Sequence, residues 1–139
     1  MITPAKRIAL YIRSSEHNNE RLIDTQLESL RSACLSANKE IVRIYIDRGF
    51  SGLSKNRPSL QQMLLDAKDR AFDEVMVTSF SKLTRKIRVL VQILDELHSD
   101  AVVVSTPNQT LDLSKLPHRL ALQMMTAVAN YETSGAERC

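Results

Sequence analysis

The stretch Arg7-Ile8-Ala9-Leu10-Tyr11-Ile12-Arg13-Ser14-Ser15 decides how this chain reads. Its short apolar run at 8–12 predicts a buried strand over 7–12. Immediately behind the run stand a guanidinium, Arg13, and two hydroxyls, Ser14 and Ser15, opening a polar segment at 14–19 that reads as loop. Two further arginines, Arg57 and Arg85, fall in segments with the character of a loop or a helix start. A hydroxyl nucleophile with several guanidinium groups suits attack on a phosphate, because the guanidinium fork pairs with phosphate oxygens and keeps its charge.

Working outward, residues 21–36 place Ile23, Leu27, Leu30 and Cys34 at helical spacing on one face. A second strand is expected at 41–46, followed by a polar loop at 47–58 that holds Gly49 and Gly52. Pro58 suits a helix start, and Leu60, Leu64 and Ala67 continue that helix. A third strand at 74–78 precedes a helix at 83–97 with Ile87, Leu90, Leu94 and Leu97 as its stripe. A fourth strand at 101–105 is ended by Pro107. A final helix is expected from 114 or 116 onward, with Leu116, Leu120, Met124, Ala127 and Tyr131 along one side. Its apolar surface is wide enough that it is either deeply buried or packed against another subunit.

Strands alternating with helices predict an α/β fold with a mainly parallel central sheet of four to five strands, flanked by helices and closed by a long C-terminal helix. In such sheets the site lies off the carboxyl ends of the strands. The candidates obey that rule: Arg13 and Ser15 follow the first strand, Asp47 and Ser51 the second, and residues 79–85 the third.

Bulk composition narrows the function classes. The 139 residues make one domain, with ordinary apolar (43%) and charged (25%) fractions. Aromatics at 4% with no Trp leave no evident stacking platform for single-stranded nucleic acid. A net charge of +3 permits a polyanionic partner without requiring one. Its distribution says more: residues 75–94 hold no acid but carry Lys82, Arg85, Lys86 and Arg88. Cys34 reads as a small core residue and Cys139 is the last residue, with no CxxC or Cys/His cluster for zinc. Neither a signal-peptide core nor a run of membrane-spanning length is present, so a cytosolic chain is expected.

Other chemistries lack their signatures. No glycine flanks Ser14 or Ser15 as a hydrolase elbow requires, and His17, His98 and His118 each have an ordinary loop or helix-end reading. No GxGxxG or Walker loop is present. Glu16 and Asp47 make a thin case for a metal. The expectation is catalysis by cationic side chains with no cofactor.

The segment Tyr11-x-Arg13-x-Ser15, then Gln26, then Asp47-x-Gly49-x-Ser51-Gly52 and Arg57-Pro58, resembles the catalytic domain of the serine site-specific recombinases (resolvases, invertases and phage-type integrases). The last helix, with Arg119 near its start and Ala129-Asn130-Tyr131-Glu132 further on, resembles that family's dimerisation helix. The resemblance spans essentially the whole chain, so 1–139 is expected to be the catalytic domain, with 114–139 beginning the long dimerisation helix and no DNA-recognition domain present. It implies that Ser15 attacks a DNA phosphodiester to form a 5′-phosphoserine link. Arg13, Arg57, Arg85 and Lys82 would bind the phosphate, and Asp47 would orient an arginine or move a proton. Tyr11, Gln26 and Ser51 would support the site, and Lys86, Arg88 and Arg119 would contact DNA. The implied partners are double-stranded DNA and further copies of the chain, a homodimer and then a tetramer in the synaptic complex, in a nucleoid-associated protein of the cytoplasm.

One departure stands out. The family block that typically reads Lys-Leu-Asp-Arg-Leu-x-Arg is here Ser79-Phe80-Ser81-Lys82-Leu83-Thr84-Arg85. Lysine keeps the charge but not the planar fork. That change motivates a second reading, a catalytically impaired homologue acting through DNA binding or dimerisation. Strand–helix alternation alone would also fit a flavodoxin-like ligand or signalling module.

Overall fold

A computed structural model describes residues 6–15, 20–50, 57–113, 115, 119–124 and 127. Its elements run β1 (Lys6–Ser14), α1 (Glu20–Ser36), β2 (Lys39–Arg48), α2 (Pro58–Lys68), β3 (Glu74–Met76), a 3-10 turn (Phe80–Lys82), α3 (Ile87–Ser99), β4 (Val103–Thr106) and β5 (Gln109–Leu111). The sheet order is β2-β1-β3-β4-β5, with β1 to β4 parallel and β5 antiparallel to β4. Successive strands therefore leave β1 in opposite directions, to β2 on one side and to β3 on the other. The crevice where the order reverses lies at the carboxyl ends of β1 and β3, the usual ligand position in open α/β sheets.

The opening apolar run makes β1 the centre of the molecule because a parallel strand covered on both faces needs apolar side chains throughout. Ile8, Leu10 and Ile12 pack on one face with Ile23, Leu30 and Cys34 of α1 and Met76 of β3. Ala9 and Tyr11 pack on the other with Leu60, Met63 and Ala67 of α2 and Leu90, Ile93, Leu94 and Leu97 of α3. Each such large aliphatic side chain contributes about 1.5–3 kcal/mol by leaving water. Pairing of β1 with β2 contains one irregularity: Ile8 faces Ile41 and Ala9 faces Arg43, so Val42 is an extra residue in β2.

At the amino ends of the strands, Glu74 is buried and ties four strands together. Its carboxylate accepts from Lys39 Nζ (2.7 Å) in β2 and Ser105 Oγ (2.6 Å) in β4, and pairs with Lys6 Nζ (3.3 Å) in β1. No described helix is long and apolar enough to cross a membrane.

Several boundaries differ from expectation. β1 continues through Ser14, and β2 continues through Arg48, so Asp47 is a buried strand residue rather than the first residue of a loop. The third helix begins at Ile87, four residues later than periodicity suggested, because Lys86 is extended (φ −92°, ψ 117°). Lys82, Arg85 and Lys86 consequently do not share a helical turn. β5 was not anticipated. It returns from β4 through a two-residue turn at Pro107-Asn108, where Thr106 Oγ1 accepts from the amides of Asn108 and Gln109 at 3.3 Å each. Residues 119–124 and 127 are helical as expected, with Leu120 (49%) and Met124 (71%) exposed and Leu122 packed against the core. The rest of the expected final helix lies outside the described residues.

Candidate active site

The site is built where β1 and β2 end. Asp47 pairs with Arg13 across the two strands, and both side chains lie on the α2/α3 face with Tyr11 and Tyr45. Helix α2 opens with Arg57 at its cap position and Pro58 in its first turn, and Arg57 makes no side-chain cap bond. Asp47 performs that capping from β2 instead. Its Oδ1 accepts from the Ser59 amide (2.9 Å) and its Oδ2 from the Leu60 amide (3.0 Å). Pro58 has no N–H and the Gln61 amide already reaches the Arg57 carbonyl (3.0 Å), so the donors of the first turn are satisfied. Ser59 Oγ donates to the Ile46 carbonyl (2.7 Å), adding a second tie between α2 and β2. The N-terminus of α2, and with it Arg57, is thereby held against the end of β2.

Tyr11 links the carboxylate to the arginine. Its hydroxyl donates to Asp47 Oδ2 (2.7 Å) and accepts from Arg57 Nη1 (3.4 Å). Burial, reinforced by the bond to Asp47, drives the phenol pKa far above its ordinary value, so this hydroxyl keeps its proton. Asp47 thus receives three hydrogen bonds while almost wholly buried. The carboxylate thereby ties β2 to the first turn of α2 and to Tyr11.

Arg13 and Arg57 are buried, at 4% and 2% exposure. Arg13 donates to the carbonyls of Lys82 (Nε, 3.1 Å), Phe50 (Nη1, 3.2 Å) and Ser81 (Nη2, 3.2 Å). Arg57 donates from Nη1 to the same Lys82 carbonyl (3.1 Å) and from Nη2 to the Leu83 carbonyl. Arg57 Nε is buried without a hydrogen-bond partner among the described residues. Burial lowers the pKa of Arg13, and the positive charges of Arg57 and Arg85 lower it further. Lys82 is lowered in the same direction, by burial first and then by Arg13 and Arg85. The four cations therefore share one electrostatic neighbourhood, in which Arg85 is exposed and Lys82 half-buried.

Ser15 follows the strand end that carries Arg13. It is exposed, one residue past β1 and two past Arg13, which limits the separation of their Cα atoms to about 7 Å. The Ser14 carbonyl just before it accepts from the amides of Gly49 (2.8 Å) and Phe50 (3.1 Å). Gly49 has φ 75°, a left-handed conformation that a side chain would resist, and the bend it allows aims both amides at Ser14. Gln26 on α1 steadies the strand end from the opposite side, donating from Nε2 to the Arg13 carbonyl (3.1 Å).

The remaining candidates are more dispersed. Lys86 and Arg88 are exposed at the start of α3, and Arg119 is exposed in the final helical stretch. Ser51 lies outside the described residues. Sequence reasoning missed Ser59 and the carbonyls of Phe50, Ser81, Lys82 and Leu83. Pro58 at a helix start with no capping side chain at Arg57 was the one available hint of a cap supplied from elsewhere.

Comparison with known proteins agrees with this architecture. The family profile "Resolvase, N terminal domain" matches residues 8–137. The DNA-invertase hin of Salmonella typhimurium is 31% identical over 110 residues, covering 79% of this chain and 55% of the invertase. A DNA-invertase of Salmonella abortus-equi matches over the same extents, so the chain spans about half the length of these curated relatives. Among solved structures, the N-terminal catalytic domain of TP901-1 integrase superposes with a TM-score of 0.82 at 27% identity, covering 93% of this chain and 98% of that one. A resolvase family site-specific recombinase from Streptococcus pneumoniae shares the fold (TM-score 0.79, 23% identity, 95% of this chain and 91% of that one). With its sheet order, its strand-end arginines and a profile match across nearly its whole length, the chain belongs to the resolvase N-terminal domain family.

Proposed function

We propose that this chain is the catalytic part of a serine recombinase that cuts and rejoins double-stranded DNA. The carrying observation is the convergence of four cations, Arg13, Arg57, Lys82 and Arg85, at the strand end where Ser15 is exposed. Ser15 Oγ attacks the scissile phosphorus. The Oγ–P bond forms, the bond from phosphorus to the 3′-oxygen breaks, the serine proton is lost, and the departing 3′-oxygen is protonated. The phosphoserine ester conserves the free energy of the broken linkage, so attack by a 3′-hydroxyl reverses the step and rejoins the strand. Fixed positive charge favours the more highly charged transition state over the diester. Asp47 and Tyr11 hold Arg57, and Gln26 holds the carbonyl of Arg13. Lys86, Arg88 and Arg119 give the flanking duplex further phosphate contacts, whose loss should flatten the salt dependence of DNA binding.

Assembly belongs to the same proposal. The exposed Leu120 and Met124, one helical turn apart, offer an apolar strip to a second copy, and two dimers would then bring two duplexes into a tetrameric synapse. Such a protein would work on the nucleoid in the cytoplasm.

Trapping the covalent intermediate tests the mechanism. Ser15→Ala in the full-length protein should abolish the protease-sensitive, denaturant-resistant protein–DNA adduct while leaving the far-UV spectrum unchanged. An adduct that persists in this variant removes Ser15 as nucleophile. The impaired-homologue reading is favoured by the segment itself, where Ser81 Oγ lies 2.9 Å from Ser79 Oγ and the arginines rest on backbone carbonyls rather than on a carboxylate. Installing Ser81→Asp with Lys82→Arg separates the two: adduct yield rises from nil only if the native segment is the defect.

A further inference from the structure

The two buried guanidiniums face protein, not solvent. Of the carbonyls that Arg13 and Arg57 engage, those of Ser81, Lys82 and Leu83 all come from one short segment between β3 and α3. At 4% and 2% exposure the two side chains turn their donors to these carbonyls, with Arg13 Nη1 on the Phe50 carbonyl as well, and not to a phosphodiester. The segment is nevertheless lightly built. Its 3-10 turn has the Lys82 amide on the Ser79 carbonyl (3.0 Å) and the Leu83 amide on the Phe80 carbonyl (3.1 Å). Leu83 and the half-buried Phe80 anchor it to the core. At its far end the Lys86 amide donates to Thr84 Oγ1 (3.2 Å), just before the chain enters α3.

We propose that residues 80–83 form a latch whose carbonyls occupy the phosphate-binding donors of Arg13 and Arg57, and that phosphate binds by displacing them. This proposal rests on the site reading above and adds a closed resting state to it. The exchange is chemically matched, since phosphate oxygens and carbonyl oxygens compete for the same N–H groups and the charged acceptor makes the stronger bond. Opening costs the burial of Leu83 and Phe80 and the turn's own hydrogen bonds, so part of the binding free energy is spent on opening. Lys82 is carried by the latch and swings with it, which makes its placement conditional on phosphate.

The latch gives a prediction of unusual sign: weakening the protein here should tighten binding. Phe80→Ala removes an anchor of the closed state without touching a phosphate ligand, and should strengthen binding of inorganic phosphate by about tenfold, the worth of a partly buried aromatic side chain. The readout is nitrogen-15 NMR of the 139-residue chain titrated with inorganic phosphate. In the wild type the Nε–H signals of Arg13 and Arg57 and the amides of Lys82 and Leu83 should shift together along one binding curve. Thr84→Ala, which loosens the far end of the segment, should move affinity in the same direction and serves if Phe80→Ala does not fold. Weaker or unchanged affinity in a folded variant, or phosphate shifts confined to Arg85 and Lys82 with the amides still, overturns the latch and leaves the site reading standing. Phosphate that perturbs none of the four cations in any variant overturns the site reading itself.

Discussion

Asp47→Ala is the perturbation with the most to say about how the site is held. The substitution removes the acceptor for the Ser59 and Leu60 amides and for the Tyr11 hydroxyl, in a place too buried for ready hydration. Loss of a helix cap costs about 1 kcal/mol. Each buried donor left unsatisfied adds about 1–3 kcal/mol, reduced where a water can enter the space vacated by the carboxylate. The expected total is about 3–5 kcal/mol, a large share of the roughly 5–15 kcal/mol that domains possess. In urea at neutral pH, with a slope of about 1–3 kcal/mol per molar, the midpoint should fall by about 2 M with the slope unchanged. Asp47→Asn keeps one carbonyl acceptor and should lose about half as much. Tyr11→Phe should cost about 1 kcal/mol alone and add little on top of Asp47→Ala, since both remove the same bond. A loss below about 1 kcal/mol for Asp47→Ala, or strict additivity with Tyr11→Phe, would refute the claim that Asp47 is the clamp between β2, α2 and Tyr11.

Two further outcomes can be measured on the same chain. Glu74→Gln retains an acceptor for Ser105 but discharges the partner of Lys39 and Lys6, and because both lysines can reach water it should cost only about 1 kcal/mol, whereas Glu74→Ala should cost about 3 kcal/mol through the cavity and the orphaned Ser105 hydroxyl, read as separated thermal midpoints. Asp66 is held below its ordinary value of 3.8 by the Tyr45 hydroxyl (2.5 Å) and then by Gln62, so its contribution to stability is complete above that pH and is lost as pH falls through its lower folded-state value; Asp66→Asn should therefore flatten the acid side of a stability–pH curve below about pH 4 and leave its shape unchanged at neutral pH.

Legibility in the sequence followed the physics of burial. The core of β1 and nearly every residue of α1 could be read, because a doubly covered strand is apolar throughout and a helix on one face of a sheet repeats at three and four. The start of α3 could not. Leu83 satisfies the helical stripe and is fully buried, but it anchors a 3-10 turn, and hydropathy does not distinguish the two uses of a buried leucine. β5 escaped notice because Gln109 and Thr110 are exposed edge residues without an apolar face, although Pro107-Asn108 is a turn dipeptide that could have prompted the hairpin. Ser15 and Arg13 were singled out from residue type and position after a strand, and Arg57 from residue type in a segment with the character of a loop or helix start. What stayed hidden was how Arg13, Arg57 and Asp47 are satisfied. Pattern reading places charged side chains in solvent, and only coordinates reveal that a carboxylate on β2 caps a helix twelve residues on, or that backbone carbonyls hold two guanidiniums.

The extra residue in β2 has a reach well beyond its own position. Were Val42 drawn into the ladder opposite Ala9 and the strands zipped without interruption, Asp47 would move to stand opposite Ser14 and its carboxylate would emerge on the α1 layer. Helix α2 would lose its distant cap, Tyr11 its acceptor and Arg57 its brace, although no residue of the constellation had been changed. For this domain the offset therefore matters more than the side chain at position 42: deleting Val42 leaves Asp47 opposite Arg13, whereas closing the offset with Val42 retained puts Ile46 there.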